Sequence, residues 1–100
     1  MFIHSVYFWL KDDLTQADID DFKKGLYSLQ QINSIKHVFI GTPADTNRPV
    51  IDSSYSYGMV IAFQDVRDHD QYQDDPIHDR FRVECAKYWS KVLIYDFETK

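Results

Sequence analysis

Residues Phe2 to Leu10 place Phe2, His4, Val6, Phe8 and Leu10 on one side of an extended chain and Ile3, Ser5, Tyr7 and Trp9 on the other. That alternation predicts a strand that is apolar on both faces. Thr15, with Asp18 three residues on, matches a helix N-cap, and Ile19, Phe22, Leu26 and Leu29 then recur at helical spacings. Asp20, Asp21, Lys23, Lys24 and Gln31 form the solvated side of that helix. Ile35 to Ile40 predicts a second strand, and Thr42 to Ser54 reads as an exposed loop. Tyr55 to Phe63 predicts a third strand, with Tyr55, Tyr57, Met59, Ile61 and Phe63 opposite Ser56, Gly58, Val60 and Ala62. Val66 to Gln73 reads as one or two helical turns. Asp75 then caps a further helix that Pro76 opens and that is expected to run to about Trp89. Lys91 to Glu98 closes the chain as a fourth strand with apolar residues on both faces.

The order β-α-β-β-α-β is the ferredoxin-like arrangement, a four-stranded antiparallel sheet with both helices on one face, in the α+β class. Its other face is left bare, and there Ile3, Tyr7, Trp9, Leu93, Tyr95 and Phe97 present more apolar surface than a monomer usually exposes. A homodimer packed sheet to sheet through the open face is the expected assembly. Residues 1–100 fit one small domain, because a second core would fall below the size that holds together alone.

A net charge of −5, without a basic run, argues against nucleic acid or an anionic membrane as partner. Cys85 is the one cysteine, which excludes an internal disulfide and fits a reducing, cytoplasmic compartment. The apolar N-terminal run is short for a membrane span and lacks the basic leader of a signal peptide.

Three segments carry a family resemblance: "IHSVYFWLKDDLT", "YQDDPIHDRF" and "YWSKVLIYDFE". In order and spacing they resemble the stress-responsive α/β-barrel domain family, whose members are dimeric barrels of ferredoxin-like subunits. Most of that family has no established activity, but its plant polyketide cyclases close a linear polyketide by aldol condensation with no metal or organic cofactor. The resemblance implies His78 and Tyr72 as the proton-handling pair. It also implies His4, Val6, Phe8, Met59, Trp89, Val92 and Ile94 as the lining of a pocket for a small hydrophobic or aromatic ligand. Two departures from the cyclase pattern stand out: Asp75 replaces a histidine, and Lys23 takes the place of a pocket aromatic, which would suit a more polar ligand.

Each candidate also has a plain packing role. His78 falls on an inward stripe with Phe81, Cys85 and Trp89, where a neutral ring could act as base or could bond Asp75 and complete a helix cap. Tyr72 could donate to a developing enolate or simply pack. His4 on an apolar face is commonly a hydrogen-bonded core residue, and His69, within "RDHD", is expected to be solvated. No H-x-x-x-H, H-E-x-x-H or paired-cysteine spacing points to a metal, and Cys85 reads as inert core. Three readings follow: cofactor-free proton-transfer catalysis, a non-catalytic ligand-binding or stress-related dimer, and a cofactor-independent monooxygenase.

Overall fold

In the computed structural model, which describes residues 1–100, Phe2–Leu10 is strand β1 and runs through the middle of the sheet. Its neighbours are β3 (Tyr57–Phe63) and β4 (Trp89–Glu98), and β2 (His37–Gly41) lies outside β3, giving the order β2-β3-β1-β4 with antiparallel pairing throughout. Both edges of this inner strand are hydrogen-bonded, its even residues face the helices, and its odd residues lie on the open face. Helices α1 (Gln16–Ser28), α2 (Val66–Asp74) and α3 (Pro76–Cys85) complete the ferredoxin-like α+β arrangement, with the second helical region in two pieces.

The local chemistry that starts each helix is that of the sequence pattern. Thr15 Oγ1 accepts from the Asp18 backbone N–H while Asp18 returns a bond to the Thr15 N–H, a capping box with both contacts at 3.1 Å. Asp65 caps α2 by accepting from the Asp68 N–H at 3.1 Å, and Asp75 caps α3 by accepting from the Ile77 N–H at 2.8 Å. The break between α2 and α3 is therefore built by Asp75 and Pro76, as helix-start chemistry requires.

The even residues of β1 and the odd residues of β3 enter one core with Phe22, Leu26, Leu29, Phe81 and Cys85 from the helical layer. Phe22, Leu26 and Leu29 have no exposed surface, and burying each contributes about 1.5–3 kcal/mol. Gly25 lets α1 lie against α3, since a Cβ there would sit 2.5 Å from Cys85 Sγ. Cys85 is thus buried core, at the last residue of α3.

Three boundaries differ from the sequence pattern. Strand β2 begins at His37 because Ile35 is still in a turn, its N–H donating to the Ile32 carbonyl at 3.3 Å. Strand β3 begins at Tyr57, and Tyr55 instead folds over Tyr7, ring centroids 5.0 Å apart. Helix α3 ends at Cys85 and gives way to a single 3-10 turn, Ala86–Tyr88, so Trp89 opens β4 and does not end a helix.

The opposite sheet face carries Ile3, Tyr7 and Trp9 beside Phe97, Leu93 and Lys91 in register. Phe39, Tyr95 and Phe97 are 69%, 60% and 57% exposed there, an aromatic surface with no cover in one chain. No helix is long and apolar enough to cross a membrane.

Candidate functional site

Strand β4 is the sheet edge on the α3 side, and its register with β1 sets Val92, Ile94 and Asp96 opposite Phe8, Val6 and His4 on the helix-covered face. Val92 and Ile94 nevertheless remain 39% and 47% exposed. The helical layer stops short of the edge and leaves a cleft above it. A register shift between Trp9 and Leu10 pairs Leu10 with Trp89, so Ser90 is the extra residue of a bulge. This turns the odd-numbered Trp89 onto the same face as the even-numbered Val92 and Ile94, where its ring meets Phe8 at 5.2 Å and Phe81 at 5.7 Å.

The result is a cavity of about 440 Å³. His4, Val6, Phe8, Met59, Val92, Ile94 and Trp89 line it from the sheet, and Tyr72, Gln73, Asp74, His78, Phe81 and Arg82 from α2 and α3. The proton-handling pair and the seven lining residues that the resemblance implied are all on this wall, whereas Lys23 and Asp75 are not. The loop Thr42 to Ser54 contributes nothing to it: the loop lies at the other face, where Ser54 Oγ accepts from Trp9 Nε1 at 3.0 Å.

Within the cavity, Tyr72 and His78 meet edge to face with ring centroids 4.8 Å apart. Tyr72 is 1% exposed, and burial holds its phenol well above the ordinary tyrosine range, so it keeps its proton at neutral pH. His78 Nδ1 is buried and has no hydrogen-bond partner. Asp75, which could have bonded the ring, gives its side chain to the Ile77 N–H instead. Burial lowers the His78 pKa, the nearby Arg82 charge lowers it further, and Asp79 opposes both. A neutral imidazole beside a protonated phenol is the outcome. His4 is a third ring on this wall, 5.8 Å from Tyr72, with Nδ1 2.6 Å from Asp96 Oδ1. Burial depresses its pKa and the Asp96 hydrogen bond works the other way.

The arrangement can therefore accept a proton at one nitrogen and donate a hydrogen bond from one phenol within a mostly apolar chamber. The stress responsive A/B barrel domain model matches residues 2–99. The chain belongs to that family. Among relatives of this A/B barrel chain, olivetolic acid cyclase of Cannabis sativa is 26% identical over 95 residues, 94% of this chain and 92% of that protein. A dimeric ferredoxin-like protein of unknown function from Thermobifida fusca superposes with a TM-score of 0.78 at 18% identity, covering 98% of this chain and 90% of that one. Hydroxynitrile lyase from Passiflora edulis superposes with a TM-score of 0.76 at 23% identity, covering 96% and 90%. These structural likenesses establish the ferredoxin-like fold of the A/B barrel domain.

Three expectations about the site need correction. Lys23 is exposed and is not on the cavity wall, because α1 turns that position to solvent. Asp75 caps α3 as its place before Pro76 predicts and does not line the cavity, so the carboxylate at the rim is Asp74, and the cation is Arg82. His69 is not solvated but 8% exposed, stacked on Phe2 at 4.4 Å, with Nε2 buried and unpartnered. The charged neighbours in "RDHD" hid it. A helical reading that set His69 and Tyr72 three residues apart on one inward stripe would have found it.

Proposed function

We propose that the cavity performs cofactor-free proton-transfer chemistry on a small ligand with an apolar or aromatic body and an enolisable carbonyl. The observation that carries this reading is the edge-to-face meeting of the His78 and Tyr72 rings on the cavity wall, centroids 4.8 Å apart, with no hydrogen-bond partner holding His78 Nδ1. His78 takes the proton from carbon α to the carbonyl, being neutral at pH 7 and so able to accept it. Tyr72 donates to the carbonyl oxygen as it gains enolate charge, and burial favours that donor role by keeping the phenol protonated. His4, fixed by Asp96, orients the polar end of the ligand. Phe8, Val6, Met59, Trp89, Val92 and Ile94 hold its apolar body, and exposed Arg82 at the rim suits a ligand acid group.

The relative whose name is a cyclase supports this reading, as does the neighbour whose name is a lyase, since both names denote bond-making or bond-breaking reactions. We further propose that the chain works as a homodimer through the open sheet face, which the exposed aromatic surface and the dimeric Thermobifida fusca neighbour support.

The test uses an aryl methyl ketone, acetophenone, in deuterated buffer, with loss of the methyl proton signal followed by NMR. The wild-type chain should exchange those protons faster than buffer alone. His78→Leu should remove the enzymatic rate by about 10²-fold or more, and Tyr72→Phe by a similar factor while binding is retained. Saturable binding of the ketone with no exchange above buffer would leave the cavity as a binding site only and defeat the catalytic reading.

A further inference from the structure

His69 is unusual for its position. It lies in α2 between two aspartates, yet its ring is buried, stacked on Phe2 and edge-on to Phe63 at 5.6 Å. Its Nδ1 is 3.2 Å from Asp70 Oδ1, and its Nε2 has no partner. Leu or Phe would fill an apolar slot of this kind without stranding a polar atom, so packing alone does not account for a histidine here.

Two further donors converge on it. The His4 ring lies 5.0 Å from the His69 ring, and His4 Nδ1 is 2.6 Å from Asp96 Oδ1. One donor atom from each of His4, His69 and Asp96 falls within 4.8 Å of the other two. We propose that His4, His69 and Asp96 form a binding site for a divalent transition-metal ion of the zinc type.

The donor set argues for that class. Two imidazoles and one carboxylate suit a borderline ion such as Zn²⁺, whereas Mg²⁺ and Ca²⁺ prefer oxygen donors throughout. Around a tetrahedral ion with bonds of about 2.0–2.1 Å, donors stand about 3.3 Å apart. Binding thus separates the His4–Asp96 pair slightly and draws His69 in. The Asp96 side chain, 38% exposed at the sheet edge, has room to swing. Coordination through His4 Nδ1 would leave the ring proton on Nε2. Because His4 also lines the cavity, a fourth coordination position could open toward it. The proposal shares His4 and Asp96 with the proton-transfer reading but uses neither His78 nor Tyr72, so the two can fail separately.

The experiment titrates the full chain with Zn²⁺ by calorimetry and with Co²⁺ by visible absorption. One ion should bind per chain, with the intense d–d bands of tetrahedral Co²⁺, and Zn²⁺ should shift the ring resonances of His4 and His69 but not those of exposed His37. His69→Leu and Asp96→Asn should each weaken binding at least about tenfold, and His37→Ala should not. Asp96→Asn conserves shape at a partly exposed position, so it remains informative if His69→Leu folds poorly. No saturable binding by the wild-type chain, binding unchanged in Asp96→Asn, or a Zn²⁺ response confined to His37 would each overturn the proposal.

Discussion

Replacing His78 with Leu separates a histidine kept for chemistry from one kept for structure. The native ring buries Nδ1 without a partner, and removing an unsatisfied buried polar atom stabilises by about 1–3 kcal/mol. His78 is only half-buried, which places the gain at the low end of that range. Against it stands the edge-to-face contact with Tyr72 at 4.8 Å, about 0.5–1.5 kcal/mol. Leu adds a few tenths of a kcal/mol through better helix propensity in α3. The sum runs from about 0 to 1 kcal/mol in favour of the variant. For a domain of this size, about 4–8 °C of Tm accompanies each kcal/mol, so His78→Leu should melt at or slightly above the wild-type temperature. Were His78 a bonded cap, the same change would strand its partner and lower Tm. Thermal unfolding followed by circular dichroism decides the matter, and a fall beyond about 4 °C refutes the reasoning.

The same variant has a pH signature. His78 titrates below its ordinary value of 6.5 in the folded chain, so the unfolded chain binds more protons between that depressed value and 6.5. Stability is then complete above about pH 6.5 and declines as pH falls through that window. His4, depressed as well, contributes in the same direction. Removing His78 should make the acid-side decline shallower without abolishing it. An identical slope in variant and wild type would show that burial does not hold His78 neutral.

The remaining predictions probe other parts of the fold. Gly25→Ala puts a methyl 2.5 Å from Cys85 Sγ and should cost about 1–3 kcal/mol in urea unfolding, with most of the loss recovered in a Gly25→Ala, Cys85→Ala double variant. Asp75→Ala removes the acceptor for the Ile77 N–H and should cost about 1 kcal/mol by the same measurement, whereas an unchanged midpoint would mean that Pro76 alone starts α3. Arg82→Gln should raise the His78 pKa, read from its ring resonances by NMR titration, because it removes a charge that disfavours imidazolium. Tyr95→Glu should shift the sedimenting species from dimer to monomer, and a wild-type chain that sediments as a monomer would rule out the open face as a subunit interface.

The fold was legible because each element carried its own signal. The Thr15–Asp18 capping box, the Phe22, Leu26 and Leu29 spacing and the Asp75–Pro76 start all reappear as contacts. The α3–β4 junction was not legible from period, since Cys85 and Trp89 continue a helical spacing. What ends the helix is the pairing of Trp89 with Leu10 across the bulge, a long-range contact. His69 was missed for a related reason: its neighbours in sequence are charged, while its neighbours in space are Phe2, Phe63 and His4. Similarly, the resemblance brought Tyr72 and His78 together, but only the structure shows that Asp75 bonds the backbone and leaves His78 without that partner.

Strand β4 links the two surfaces proposed to act on other molecules. It is an edge strand that the helical layer covers only in part, so alternate residues open onto different spaces. Val92 and Ile94 face the cavity, whereas Leu93, Tyr95 and Phe97 belong to the bare aromatic face. Because the side-chain period of a strand is two, a one-residue slip would exchange these sets. The bulge at Ser90 is what lets Trp89 join the cavity set while Lys91 stays on the other face, its Nζ 4.4 Å above the Trp9 ring. Assembly and ligand binding are thus addressed by neighbouring positions yet remain separable. Tyr95→Glu should disrupt association while leaving acetophenone affinity within about threefold of wild type, and Ile94→Glu should do the reverse. If both variants lost both properties together, the cavity would have to be completed by the second subunit, and one chain alone could not hold the ligand.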